Sequence, residues 1–266
     1  MQQTDRYGKD QRYYDLLAYI VSNAVAGELM AVENYSEMVP MLGDTEQKLE
    51  TVQQAQDEAK HVRVLSKLGD KLDFKVMNQI IEPQWNAVRG HFSTAARAGD
   101  LSGCLIIQDL MVETMAIVLY KTLGRNTDPD TARFADNILR DEVRHLNIGI
   151  DRLKALMDKD PEAVHCSLTD AHNNVMPELF SMISYKCHSL CDELSVDCGS
   201  LSLDSLKTDL DNIRIDALDT YMEMLDQAGF DTKVTTPLVA SMSGYGTSPR
   251  GEMDLQFDCC STTGCC

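Results

Sequence analysis

Glu58 and His61 stand three residues apart in QDEAKHVRVL (Gln56–Leu65), and Glu142 and His145 repeat that spacing in RDEVRHLNIGI (Arg140–Ile150). On an α-helix, positions three apart lie about 60° apart around the axis, so each pair offers a carboxylate and an imidazole to one point. That ligand set suits iron or manganese. Two such pairs serve two metal ions, but two ions call for more negative charge than two carboxylates carry. The balance is expected from one lone Glu on each of two further helices. Glu28 lies among Ala24, Val25, Ala31 and Val32, and Glu113 lies in CLIIQDLMVETMAIVLY, apolar nearly all round. A carboxylate buried alone is costly and protonates instead, and a bound cation removes that cost.

The order is then Glu, Glu-x-x-His, Glu, Glu-x-x-His on four long helices, the arrangement of ferritin-like di-iron four-helix bundles. The rest of the chain supports this. Apolar residues recur at three- and four-residue steps between few prolines, and no segment shows strand alternation. The periodicity predicts helices over 10–39, 45–68, 74–98, 101–123, 129–157, 162–194 and 203–228. The first carries Val21, Val25, Glu28, Val32 and Tyr35 on one stripe. Gly69, Gly124 and Gly229 read as C-terminal stops, and Asp128 with Pro129 as a capped start. The expected fold is all-α, with covering helices beside the bundle. Residues 1–232 form the helical domain, and 233–266 a Gly/Ser/Cys-rich tail.

A third Glu-x-x-His, Glu162 with His165, follows Pro161 and has no lone buried Glu to pair with, so it reads as first-turn surface residues. The geometry also suggests supporting residues. Asp57 and Asp141 each precede a Glu of the set and can reach the His of the neighbouring helix, since a ligating His gives its other ring nitrogen to a carboxylate or carbonyl. Tyr35 and Tyr120 each lie seven residues past a lone Glu, near its stripe. Met30, Val32, Met111, Met115 and Ile117 are candidates to line an apolar tunnel beside the metals.

The net charge of −18 disfavours a nucleic-acid partner. The polar N-terminus has no signal-peptide pattern, and the longest apolar run is interrupted by Gln108, Asp109 and Glu113, so no membrane span and a cytoplasmic location are expected. Nine cysteines, an odd count, point to free or metal-bound thiols rather than a disulfide framework. Cys187, His188, Cys191 and Cys198 cluster in and after KCHSLC. Cys259, Cys260, Cys265 and Cys266 crowd the end, where a soft-metal clasp or a redox arm are the functional readings.

The stretches CLIIQDLMVETMAIVLYKT and RDEVRHLNIG, with AGELMAVENY and QDEAKH, resemble cyanobacterial aldehyde-deformylating oxygenase, also called aldehyde decarbonylase, over about residues 14–236. The resemblance implies two iron ions, with an iron–manganese pair as the variant, on Glu28, Glu58, His61, Glu113, Glu142 and His145. It implies catalytic roles for Tyr120 and Gln108, outer positions for Asp141 and Asn147 beside the Tyr35 that spacing suggests, and a family cysteine at Cys104. It further implies conversion of a fatty aldehyde to a hydrocarbon one carbon shorter plus formate. Dioxygen, an electron donor such as ferredoxin and an acyl-reductase partner are implied with it. The chain departs from the family in EAKH, where arginine often precedes the His, in the loops after His165, and in its cysteine-rich end. Two other readings stand beside this one: a di-iron oxidase acting on a different small molecule, and an iron-storage ferroxidase. The extra helices argue against the last.

Overall fold

The computed structural model describes residues 7–9, 11–76, 83–193 and 210–242, without the side chains of 12, 183–193 and 210–212. The cysteine groups of KCHSLC and of the C-terminal end lie outside the described side chains. Among the described residues the regular structure is entirely helical. Helix α1 (Gln11–Met38) turns through a short 3-10 segment into α2 (Thr45–Leu72). Then come α3 (Pro83–Ala98), α4 (Leu101–Leu105), a π-helical segment (Ile106–Val112) that runs on into α5 (Glu113–Asn126), and α6 (Pro129–Met157). Helices α7 (Pro161–Glu193), α8 (Leu210–Gln227) and α9 (Thr232–Ser241) follow.

Local chemistry sets the turns. Asp44 starts α2 by accepting from the backbone N–H of Glu46 and Gln47. Asp128 starts α6 by accepting from Asp130 and Thr131, and the Tyr13 hydroxyl donates to its other oxygen at 2.7 Å. Gly229, with φ of 89°, follows α8 as expected. The other two glycines do not stop their helices. Helix α2 runs on to Leu72 and closes at Asp73, which takes the left-handed conformation itself. Gly69 is small for another reason: a Cβ there would lie 2.6 Å from Val76 Cγ2 and 2.9 Å from the Phe74 carbonyl, where the chain folds back. Likewise α5 passes Gly124, whose Cβ would meet Asp136 Oδ1 at 2.7 Å. The third helix begins at Pro83, and 74–76 are not helical. The expected loss of periodicity after Lys233 is also not seen at its start. Helix α9 forms there and buries Thr235, Leu238 and Val239.

Helices α1 and α2 pack as one hairpin, α5 and α6 as another, and α2 meets α6 between them. On the outside, α3 packs on α1 and α7, α8 on α5, and α9 on α8. One apolar cluster gathers Tyr13, Leu17 and Val21 with Leu68, Tyr120 and Ile138. A larger one gathers Met30, Met38, Leu105, Met111 and Leu153 with α7, α8 and α9. Glu28, Glu58 and Glu142 fall between these two along α1, α2 and α6, while Glu113 stands between Val112 and Ile117 of the larger one. Two helical stretches, Tyr13–Met41 and Leu101–Asn126, have the length and apolarity of a membrane span. They are the core rods carrying Glu28 and Glu113, and most of the second is buried.

Candidate metal centre

Six side chains from four rods meet in the middle of the bundle. Glu28 comes from α1, Glu58 and His61 from α2, Glu113 from the start of α5, and Glu142 and His145 from α6. Each is at most 6% exposed. Their donor atoms form two overlapping groups, each within 4.8 Å: Glu28, Glu58, His61 and Glu142, and Glu58, Glu113, Glu142 and His145. Glu58 and Glu142 belong to both.

Both imidazoles turn the same nitrogen inward. His61 Nδ1 lies 3.1 Å from Glu28 Oε2, 3.2 Å from Glu58 Oε2 and 3.1 Å from Glu142 Oε1. His145 Nδ1 lies 2.7 Å from Glu58 Oε1 and 3.9 Å from Glu113 Oε1. Yet His145 Nδ1, Glu58 Oε1 and Glu142 Oε1 are buried without a hydrogen bond among the described residues. Lone pairs brought this close without a proton shared between them fit a site built around cations. The donor set, four carboxylates and two imidazoles, is that of two iron or manganese ions.

Without a cation the cluster is electrostatically strained. Burial, then repulsion from Glu28, pushes Glu58 well above the usual carboxylate range. Burial and Glu142 do the same to Glu113, and burial with Glu58 and Glu28 raises Glu142 to about 8. Burial works against a charged His61, but the Glu142, Glu28 and Glu58 carboxylates around its Nδ1 outweigh it and push the ring well above its ordinary range. Positive charge is thus drawn to this point in any state, and a metal ion supplies it in place of protons.

The supporting residues divide. Tyr120 donates to Glu28 Oε1. Burial and then Glu28 keep its phenol protonated, far above its usual range. Gln108 donates to Glu113 Oε1 at 3.0 Å and is itself fixed by Asn34, which donates to its carbonyl at 2.7 Å. The Tyr35 hydroxyl lies 2.7 Å from both Asp109 Oδ1 and Glu113 Oε1. Asp141 Oδ2 sits 3.2 Å from His61 Nε2, and Asp57 Oδ2 sits 3.9 Å from His145 Nε2, so each acid faces the His of the other helix. Asn147 is not brought to the cluster. Two residues past His145 is about 200° around the axis, and Asn147 is exposed there. Cys104 is fully buried, 4.0 Å from Met41 Sδ, and burial pushes its thiol up to about 12. Glu162 is exposed in the first turn of α7, and His165 packs against Phe230, remote from the cluster.

Four buried polar residues escape a search for metal-ligand spacing: Asn34, Gln54, Asp109 and Arg152. Gln54 donates to Tyr35 and Asp109, and Arg152 donates to Thr51 at 2.8 Å and reaches Glu50 near the surface at 3.1 Å. A signal for two of them exists. Asp109 breaks an apolar run, and Arg152 lies seven residues past His145 on the same stripe. The π-helical segment explains how Gln108 serves Glu113. In an α-helix, residues five apart point about 140° apart. The Glu113 N–H instead reaches back to the Gln108 carbonyl, and this wider turn lays the two side chains together.

A cavity of about 240 Å³ opens from the cluster. Glu28, Glu58, Gln108, Glu113, Tyr120 and Glu142 form its polar end. Apolar side chains such as Leu16, Ile20, Val112, Ala116, Leu119 and Leu179 line the remainder. Of the five residues expected to line it, only Met115 does. Met30, Met111 and Ile117 are packed into the core on other faces of their helices.

Comparison with solved structures places this architecture. The chain superposes on a Synechococcus protein with aldehyde deformylating oxidase activity with a TM-score of 0.71 at 18% identity, over 87% of this chain and 98% of that one. It also superposes on the R2-like ligand-binding oxidase of Sulfolobus acidocaldarius, with a TM-score of 0.57 at 17% identity, over 82% and 79%. At the sequence level the match is to a named family and spans residues 10–246, from the first turn of α1 to beyond α9. This chain belongs to the long-chain fatty aldehyde decarbonylase family.

Proposed function

We propose that the protein is a non-haem di-iron oxygenase that cleaves a fatty aldehyde into formate and a hydrocarbon one carbon shorter. The observation that carries this is the cavity: a largely apolar space whose lining includes the carboxylate cluster itself. Glu28, Glu58, His61, Glu113, Glu142 and His145 would hold the two ions, and Glu58 and Glu142 belong to both donor groups. When bound, the ions supply dioxygen activation, electron relay and Lewis acidity towards the aldehyde carbonyl.

The chain's own residues do the rest. The apolar wall between α1, α5 and α7 holds the alkyl chain and excludes water from the reacting end. Glu28, Glu113 and Tyr120 bound that end, so the aldehyde group stops beside them. Tyr120 keeps its proton at the phenolic oxygen and presents it to Glu28, holding that carboxylate's orientation. Gln108, pinned by Asn34, fixes Glu113 in the same way from the other side. By atom and charge balance, aldehyde plus dioxygen giving hydrocarbon, formate and water also consumes four electrons and three protons. We assign the electrons to a ferredoxin-like donor and delivery of the aldehyde to an acyl-reductase partner.

The test is direct. Iron-loaded protein with reductant and dioxygen is given aldehydes of medium and long chain length, and formate and the shortened hydrocarbon are measured together. Equal amounts of both are expected. Oxidation of another substrate class with no formate from any aldehyde would overturn the assignment.

A further inference from the structure

Resting on the oxygenase reading, which calls for electrons from outside, we infer that the outer face of α2 and α6 is the docking surface for the electron donor, a small acidic carrier protein. Acidic residues outnumber basic ones 42 to 24 in this chain, for a net charge of −18. Against that background one face is basic. Lys60, Arg63 and Lys67 form a stripe on α2 at helical spacing, and no acid stands between Glu58 and Asp70. Arg133, Arg140 and Arg144 form a second stripe on α6, and all six are exposed. Ion pairs across the seam set the stripes side by side. Lys60 Nζ lies 3.4 Å from Asp141 Oδ2, Arg144 Nη2 lies 2.5 Å from Asp57 Oδ2, and nearer the other end Lys71 pairs with Asp130. Arg63 and Lys67 lie between these crossings and have no acidic partner among the described residues.

The acids of the seam are recessed. The side chains of Asp57, Asp130 and Asp141 are 10%, 12% and 26% exposed, against 60% for Lys60, 65% for Arg133 and 46% for Arg144. Asp70 and Asp136 are the exposed acids at its edge. A partner arriving from solvent therefore meets the cations first. Among the described elements α2 packs chiefly on α1 and α6, and the covering helices α3, α7, α8 and α9 leave its outer side open. Three of the five large apolar side chains exposed among the described residues, Leu49, Val52 and Val143, also stand on these two helices. Cations that steer and a few apolar contacts that grip suit a transient protein interface. The place matters as much as the charge. Beneath this face lie the outer nitrogens of both histidines, with His61 Nε2 3.2 Å from Asp141 Oδ2 and His145 Nε2 3.9 Å from Asp57 Oδ2. One carboxylate separates each ring from the cationic surface. Apart from Glu58 and Glu142, the cavity is lined by α1, α3, α5, α7, α8 and the π segment, so a docked carrier and a bound aldehyde do not compete. A carrier that is oxidised by one electron per encounter must dock four times to supply the four electrons of one turnover. That favours fast, steered and short-lived association.

The experiment separates docking from chemistry. Calorimetry at about 50 mM salt measures binding of an acidic plant-type ferredoxin to the full-length, iron-loaded protein. In the double variant Arg63→Glu, Lys67→Glu the affinity should fall about tenfold or more, and the difference should close as salt is raised towards about 0.5 M. The control Arg97→Glu, Lys233→Glu makes the same change in net charge on α3 and α9, and should bind within about twofold of the wild type, because charges that far from the interface are screened. Formate production driven by reduced ferredoxin should drop in the first variant and hold in the control, while a small chemical reductant should drive both at the wild-type rate. Equal ferredoxin binding by the wild type and the α2 variant overturns the inference. So does an equal loss in both variants, which would make the effect one of net charge alone. Loss of aldehyde transfer from an acyl-reductase, with ferredoxin binding unchanged, would give the face to that partner and overturn it as well. Failure of the proposed function looks different: no formate from any aldehyde with either electron source, whatever the affinity for ferredoxin.

Discussion

Around His61, the outer ring nitrogen faces Asp141, whose side chain is 26% exposed, and Lys60, 60% exposed, closes the approach from solvent. Around His145, the outer nitrogen faces Asp57, only 10% exposed, while behind Glu113 a buried chain of Tyr35, Asp109, Gln54 and Arg152 continues to Glu50. The two halves grow from near-copies of one pentapeptide, Asp-Glu-Ala-Lys-His and Asp-Glu-Val-Arg-His. The copies place matching atoms: an acid facing the opposite His, and a cation beside each acid. What differs comes from the other two rods. On the α5 side a π turn and a buried Asp back the cluster, while on the α1 side Glu28 meets Tyr120 and the cavity. Near-identical ligand motifs thus sit in unlike surroundings: a buried polar chain backs one half, a partly exposed acid and a solvated lysine cover the other, and the cavity touches both.

Breaking the shared middle should collapse both halves at once. Glu58 and Glu142 serve both donor groups, so the double variant Glu58→Ala, Glu142→Ala should fall from about two irons per chain to near none. Glu113→Ala, which touches one group only, should lose roughly one and abolish turnover. Metal analysis with circular dichroism checks this, and unchanged iron content in the double variant would show that the ions bind elsewhere.

The buried half should respond to pH through Asp109. Burial raises its carboxyl to about 6 from an ordinary value near 3.8, despite Tyr35, Arg152 and His145 nearby. A raised folded-state pKa means that the folded chain binds more protons than the unfolded one between those values. Asp109 therefore costs nothing below about pH 4, and its cost grows to at most about 3 kcal/mol above pH 6. In the metal-free protein, Asp109→Asn should match the wild type near pH 4 and be the more stable by up to that amount at pH 7. A constant difference across the range would mean that the carboxyl does not titrate with folding.

The two tyrosines sharpen the contrast further. Tyr35→Phe strips a hydrogen bond from Asp109, Glu113 and Gln54 together, and should cost about 1–3 kcal/mol of stability in denaturant unfolding. Tyr120→Phe removes one bond to Glu28 at the cavity end, so its stability cost should be smaller and its loss of turnover larger. The reverse order would exchange the roles assigned to the two halves.

The ligand halves were legible in sequence and their inequality was not. Helical periodicity projects Glu58 with His61 and Glu142 with His145 onto one face, because that relation is local. Lone acids in apolar runs mark Glu28 and Glu113 for the same reason. The π turn leaves no such mark, since no residue in IIQDLMV demands it, and it is what brings Gln108 onto Glu113. Gly69 and Gly124 misled because a helix stop and a close crossing require the same absence of Cβ. Asp109 was visible only as an interruption of an apolar stretch, and its partners Tyr35, Gln54 and Arg152 come from other helices.

The smallest expected effect lies on the open half and is the most exacting check on the comparison. Lys60 reaches Asp141 at 3.4 Å and Asp57 at 3.8 Å from a largely solvated position. Such pairs contribute well under about 1 kcal/mol, and salt screens them. Arg144, its counterpart, is tied to the nearly buried Asp57 and lies 3.5 Å from His145 Nε2. Lys60→Met should therefore shift stability by no more than about 0.5 kcal/mol, a change that vanishes as salt is raised towards about 1 M. Arg144→Met should cost more, about 1–2 kcal/mol, and keep most of that cost in salt, because it leaves Asp57 poorly solvated and without its main cation. Thermal unfolding of both variants at low and high salt separates the cases. Equal costs, equally screened, would mean that the two outer layers are as alike as their sequences and that the asymmetry stops at the cluster.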